Sequence, residues 1–286
     1  MTGRRAGQDR RSPGERSPRP AQARAGAARK NVATAGDSGP RTLPDAIRVS
    51  GLRAVEALFR HAPDAIERLY LARALAPRFG ALCRHLAERR RSYAIKEDVE
   101  LAKIAGTQHH GGIVALRVPR PPRAPGTAEI AAWELAQRPV LVLDGGGNPH
   151  NFGAIVRTAA FLGIEQTVLS ERAEQALPSA AAYRVAEGGM EFVTLWRPPS
   201  LPVFCRQLAQ RYRLVGTAPG GTPLARFVRD ARPIALVLGN EETGLSPGVA
   251  RACSELVAIS GHGEWVESLN VAVAAGILMH TLLAPR

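Results

Sequence analysis

The chain has 286 residues, 45% of them hydrophobic and 22% charged, with 38 Lys and Arg against 25 Asp and Glu for a net charge of +13. That length can hold two modest cores, and the charge excess suits phosphate backbones better than small neutral metabolites. Three cysteines (Cys83, Cys205, Cys253) without metal-ligand spacing exclude a disulfide framework and a zinc site, and the absence of a long apolar run or secretory leader predicts a soluble, cytoplasmic, metal-free protein that does not engage membranes.

Residues 1–41 carry ten Arg or Lys against Asp9, Glu15 and Asp37, a net of +7, with no aromatic residue. Such a stretch cannot bury enough apolar surface to offset the entropy of ordering, so residues 1–46 are expected to form a disordered basic tail, either a solubilising extension or a non-specific phosphate-binding arm. The remaining +6 leaves the folded part basic as well.

From 47 to 118 helical and strand patterns alternate. Val55, Leu58 and Phe59 lie at helical spacing, Ile66 to Leu71 reads as a strand, and Phe79, Leu82, Cys83 and Leu86 mark a second helix. Tyr93 to Lys96 predicts a short strand, Val99 to Ile104 a short helix and Ile113 to Val118 a final strand, a small three-layer α/β unit. Arg84, Arg89, Arg90 and Arg91 cluster with His85, and His109 and His110 precede Gly111-Gly112. These read either as a solvated face or as an RNA-facing patch, and the overall charge favours the patch.

The Pro-rich run Arg120 to Gly126 can continue neither a helix nor a central strand, which predicts a linker over 119–137. Beyond it strands are expected at 140–143, 166–169, 192–195, 214–216, 234–238 and 256–259, with helices near 152–162, 203–211, 249–253 and 269–283. Alternation of this kind means a parallel sheet covered on both faces. The last helix is apolar nearly all round, with Ala272, Ala274, Ala275 and Gly276 permitting close approach, so burial in the core or at a subunit contact is expected.

Three of these strands end in small-residue, polar-tipped loops: Asp144 to Gly153, Gly239 to Ser246 and Gly261 to Asn270. Ligands of open α/β sheets collect at the carboxyl ends of strands. In the first loop Asn151 offers both donor and acceptor, and Arg157, further along the following helix, offers a planar fork that matches phosphate. Taken alone, Asn151 could be an N-cap and Arg157 a surface residue. Glu241 is the better placed of the two adjacent acids in the second loop, and Ser268 and Asn270 read either as caps or as ligand contacts. The glycine spacing matches neither a Walker loop nor a dinucleotide fingerprint. A dinucleotide oxidoreductase, using Glu171 after the second strand, remains an alternative.

Together, Asn151-Phe152-Gly153-Ala154-Ile155-Val156-Arg157-Thr158, Leu238 to Leu245 and Glu267 to Ala274 resemble the three signature motifs of the SpoU/TrmH branch of the SPOUT RNA methyltransferases, in order and spacing. The resemblance covers residues 138–286 as a catalytic domain and, more loosely, 47–118 as that family's ribosomal-protein-like RNA substrate-binding domain. Thr107 to Gly112 and Ala186 to Glu191 look most like its YfiF/TrmG subgroup. The resemblance implies S-adenosyl-L-methionine-dependent methylation of a ribose 2′-hydroxyl of tRNA or rRNA, a trefoil knot near the C-terminus and an active site completed across a homodimer. Carried over by position, it implies catalytic roles for Asn151, Arg157, Glu241, Ser268 and Asn270, and cofactor contacts at Thr217, Leu238, Gly239, Asn240, Ile259 and Leu269. The third motif departs from the family pattern in having Ser260-Gly261 after its strand and a slightly longer loop before Ser268. An RNA-binding or ribosome-associated protein with a vestigial methyltransferase site is the second alternative.

Overall fold

Strand β1 (Ile47–Ser50) opens the first of two sheets in the computed structural model, which describes residues 46–262, 265–266 and 268–284. The expected basic tail therefore lies outside the described residues, apart from Ala46. Helix α1 (Leu52–His61), β2 (Ile66–Leu71), α2 (Gly80–Glu88), β3 (Ser92–Ile95), α3 (Asp98–Ala105) and β4 (Ile113–Arg117) follow. They build a four-stranded sheet of order β1-β4-β2-β3, with β2 and β3 parallel and β4 antiparallel to both β1 and β2. Side chains alternate across a strand, so Ile113 and Ala115 join Leu58, Leu82 and Leu86 of α1 and α2, while Val114 meets Leu101 and Ala105 of α3. That is a three-layer unit.

Two features of this unit were not expected. β1 shows only two apolar-polar repeats, Ile47-Arg48-Val49-Ser50, and its whole length pairs with β4, Ile47 opposite Arg117 through Ser50 opposite Val114. In the basic cluster, Arg91 donates to the carbonyls of Asp64 and Ile66 at 2.7 Å, and Arg89 pairs with Asp64. These two side chains tie the end of α2 to the start of β2. Arg84 and Arg90 stay exposed.

The segment expected to be a linker holds helix α4 (Thr127–Leu135), whose Ile130 and Trp133 are buried on the second sheet. An i, i+3 pair among alanines is too weak a periodic signal to announce a helix, and its order comes from that packing. Then come β5 (Val140–Asp144), α5 (Pro149–Phe161), β6 (Gln166–Leu169), α6 (Ala180–Ala186), β7 (Thr194–Trp196) and α7 (Leu201–Leu208), followed by β8 (Arg213–Pro223), β9 (Ile234–Gly239), α8 (Pro247–Ala250), β10 (Glu255–Ala258) and α9 (Val271–Leu282). The six strands are all parallel, in the order β10-β8-β9-β5-β6-β7. Val140, Val142, Ala235 and Val237 face α4 and α7, whereas Leu141, Leu143, Leu236 and Leu238 face α5 and α9. The near-continuous apolar strands are what two covered faces require. No helix among the described residues is long and apolar enough to cross a membrane.

The core on the α5 side runs without interruption into the core beneath α1 and α2, through Tyr183, Ala186 and Met190. A charged pair pins the same junction. Arg117, at the end of β4, donates to the Tyr183 hydroxyl at 2.5 Å and to Glu191 Oε1 at 2.6 Å, with the two charged side chains only 4% and 7% exposed. Burial lifts the Glu191 carboxyl above its ordinary range, and Arg117 offsets only part of that. The folded state thus binds this proton more tightly than the unfolded chain, so the contribution is greatest below the ordinary carboxyl pKa and declines as pH rises through the raised value. Glu191→Ala leaves Arg117 buried and unpaired and is expected to cost about 3–5 kcal/mol, whereas Glu191→Gln mimics the protonated acid and costs much less. Chemical denaturation of the two variants checks this, and equal losses would contradict it.

Candidate active site

β5 leads the chain toward β6 and β7 on one side, and β8 returns on the other, so the strand order reverses between β5 and β9. A crevice opens at such a switch point, beyond the carboxyl ends of the strands. The first polar loop leaves β5 and the second leaves β9, so adjacent strands carry them to the same crevice. The third leads from β10 into α9, which packs against α5 and β9.

The N-cap of α5 is Asn148, not Asn151: Asn148 Oδ1 accepts from the amides of His150 (2.8 Å) and Asn151 (3.4 Å), and Pro149 occupies the first turn. That frees the Asn151 side chain. Its Nδ2 donates to Glu241 Oε1 at 2.9 Å, and its Oδ1 accepts from Asn270 Nδ2 at 3.2 Å. A carboxylate only accepts, which fixes the orientation of both amides. Asn270 is also the N-cap of α9, through the amide of Ala272 at 2.9 Å. One side chain therefore caps the helix and enters the site.

The loops are held from behind. Asn240 Nδ2 donates to the Gly145 carbonyl at 2.7 Å, and its Oδ1 accepts from the amides of Glu242 and Thr243, so this side chain braces the turn. Buried Asp144 accepts from the Ser246 amide at 2.7 Å, and Gln175 accepts from the Gly145 amide at 3.1 Å. Sequence reading missed Gln175, which no motif or spacing marks. Gly239 sits where a Cβ would lie 2.4 Å from the Gly244 carbonyl carbon and 2.6 Å from the Leu245 amide, so no side chain fits beneath the turn.

Beside the Asn270-Asn151-Glu241 chain lies a cleft of about 650 Å³. Thr217, Leu238, Gly239, Asn240, Ile259 and Leu269 all line it, as do Glu241, Ser268 and Asn270. Thr217 is not at a strand end: the pairing of β8 with β10 jumps from Gly216 to Thr222, and the intervening excursion brings Thr217, Ala218 and Pro219 to the cleft. The walls are apolar at Leu238, Val257, Ile259 and Leu278, two carboxylates (Glu241, Glu242) reach the lining, and among the described residues no Lys or Arg does. In so basic a chain this is a site for an uncharged or cationic ligand with an apolar part, and a poor one for a pyrophosphate. That argues against the dinucleotide alternative.

Arg157 is not brought into this cleft. It lies six residues beyond Asn151 on α5, about 240° around and about 9 Å along the helix, and it pairs with Glu187 at 3.2 Å in a separate groove. Burial pushes the Cys205 thiol up to about 12 and Cys253 to about 11, which leaves neither a thiolate for nucleophilic work. Among the described residues no group of three His, Cys, Asp or Glu could hold a metal.

The SpoU rRNA Methylase family matches residues 138–280, and a second family, RNA 2′-O ribose methyltransferase substrate binding, matches residues 48–122. The chain is 36% identical over 245 residues to an uncharacterized tRNA/rRNA methyltransferase, YfiF, of Escherichia coli O157:H7, covering 84% of this chain and 68% of that one. It is 32% identical over 233 residues to the 23S rRNA (guanosine-2′-O-)-methyltransferase RlmB of Nitrosomonas europaea, covering 81% and 88%. The SpoU methyltransferase AviRb of Streptomyces viridochromogenes, solved in complex with AdoMet, has the same fold, with a TM-score of 0.65 at 23% identity over 86% and 93% of the two chains.

Gly239→Ala forces backbone apart at the floor of the cleft and is expected to lose about 1–3 kcal/mol, read as a lower melting temperature. An unchanged melting temperature would show that the turn yields freely.

Proposed function

The chain belongs to the SpoU rRNA methylase family, and on that premise we propose that it transfers a methyl group from S-adenosyl-L-methionine to a ribose 2′-hydroxyl of tRNA or rRNA. The observation that carries this is the cleft itself, apolar, lined by Glu241 and Glu242 with no Lys or Arg among the described residues, and ending on the Asn270-Asn151-Glu241 chain. When bound, S-adenosyl-L-methionine supplies a methyl group on a positively charged sulfur. Leu238, Val257, Ile259 and Leu278 suit its adenosyl part, and the carboxylates suit its net positive charge.

The residues around the chain then have distinct tasks. Glu241 holds the Asn151 amide, and Asn151 with Asn270 and Ser268 orients the ribose so that its 2′-oxygen is in line for attack. A ribose hydroxyl is a poor nucleophile, and negative charge develops on it as its proton leaves for solvent. Arg157 meets that charge and the adjoining phosphate as a permanent cation, since a guanidinium does not act as a base near neutral pH.

Because Asn151 and Arg157 face different sides of α5, one chain cannot present both to one ribose. A homodimer resolves this: each copy supplies the cleft, and its partner supplies the arginine. α9 packs against α5 and carries Val273 and Ile277, one turn apart and 53% and 39% exposed, an apolar face suited to a second copy of the same helix.

Asn151→Ala and Arg157→Ala are each expected to lower methyl transfer to bulk RNA by about 10²-fold or more, with cofactor affinity by calorimetry unchanged in Arg157→Ala, whose side chain lies outside the cleft. Wild-type turnover in both variants would dispose of these roles. Mixing the two inactive variants should restore transfer, because one of the two sites in a mixed dimer is intact; no recovery would place the arginine in its own subunit's site. Ile277→Arg should give a monomer by sedimentation that binds the cofactor and transfers no methyl group.

A further inference from the structure

The turn Glu187-Gly188-Gly189 after α6 lines no part of the cleft, yet helices close on it from two sides. A Cβ on Gly188 would lie 2.9 Å from Ala57 Cβ and 3.1 Å from the Arg53 carbonyl oxygen of α1, and one on Gly189 would lie 3.1 Å from the Arg157 Cα of α5. Glu187 itself has φ of +44°, a left-handed position that favours glycine or asparagine. The conformation brings its carboxylate between the two helices, with Oε2 at 3.2 Å from Arg157 and 3.8 Å from Arg53. Arg60, two turns beyond Arg53 on the same face of α1, lines the same groove of about 390 Å³.

The charges there do not balance. Glu56, also in the lining, is taken up by Arg78 at 2.6 Å, so three guanidinium groups face the single carboxylate of Glu187. Both Glu187 pairs are roughly half exposed or more, where an ion pair adds little to stability. A phosphodiester accepting bidentate bonds can displace a carboxylate held so weakly. Phe161 and Phe192, 88% and 48% exposed, also line the groove. Cations interleaved with exposed aromatic rings are what single-stranded nucleic acid binds, phosphates on the former and bases on the latter.

We propose that this groove is a subsite for the RNA backbone next to the methylated nucleotide, and that Glu187 holds the phosphate's place in the free protein, keeping Arg157 turned into the groove. The identity of the anion as RNA rests on the methyltransferase reading; the anion site rests on the geometry of Arg53, Arg60, Arg157 and Glu187.

The test is the affinity of the full chain for a labelled single-stranded RNA oligonucleotide, and for heparin, across a range of salt concentrations. The Arg53→Ala, Arg60→Ala double variant should bind RNA more weakly, with a slope of log K against log salt shallower by about 1.4, about 0.7 for each phosphate that is no longer neutralised. Glu187→Asn and Glu187→Gly, both suited to a left-handed backbone, should each bind RNA several-fold more tightly because the competing carboxylate is gone. Phe192→Ala should weaken RNA binding and leave heparin binding alone. Wild-type slope in the double variant, unchanged or weaker RNA binding in both Glu187 variants, or equal effects of Phe192→Ala on RNA and heparin would each overturn the subsite. Methyl transfer and cofactor affinity measured alongside separate the two readings: if the wild type transfers no methyl group while these shifts appear, the activity is wrong and the groove stands as an RNA-phosphate site alone.

Discussion

The site depends on one side-chain amide. Asn151 donates to Glu241 and accepts from Asn270, and so ties together loops that leave β5, leave β9 and enter α9. It is free to do so only because Asn148 and Pro149 have already capped α5. Without that division of labour the first-turn amides would compete for the Asn151 oxygen, and the loops would lose their common member.

Around this bridge the protein separates its charges. A chain of +13 leaves one cleft bordered by carboxylates and apolar walls, and places arginines in the groove beside α1 and α5. The two environments suit the two reactants of a methyl transfer to RNA: a cationic donor in the first, a polyanionic acceptor in the second. The loops around the cleft are preorganised by hydrogen bonds of Asn240, Asp144 and Gln175 to main-chain groups, so little of the site has to be ordered when a ligand arrives.

The junction between the two sheets has the same logic. Arg117 and Glu191 are costly to bury, and removing the acid alone would strand the guanidinium in the apolar junction. Next to them the Glu187-Gly188-Gly189 turn brings α1 and α5 close enough for Arg53 and Arg157 to share one carboxylate. Helix α1 of the N-terminal unit is thereby linked to the helix that carries Arg157.

Much of this was legible in the residues alone. Period-2 and period-3.6 patterns placed most strands and helices, and the polar residues at the mouths of β5, β9 and β10 marked the end of the sheet where the cleft lies. What escaped was whatever depends on a partner far away in the chain. β1 exists because β4 pairs with it, α4 because Ile130 and Trp133 find the second sheet, and the excursion at Thr217 because β10 resumes its pairing six residues later. The sequence by itself determined which chemical groups were available and on which loops, since those follow from local pattern. Only the tertiary structure decided that Asn151, and not Arg157, is bonded to residues that line the cleft and that Glu187 holds the arginine, because pairings across 90 and 119 residues are set by packing, which no local periodicity encodes.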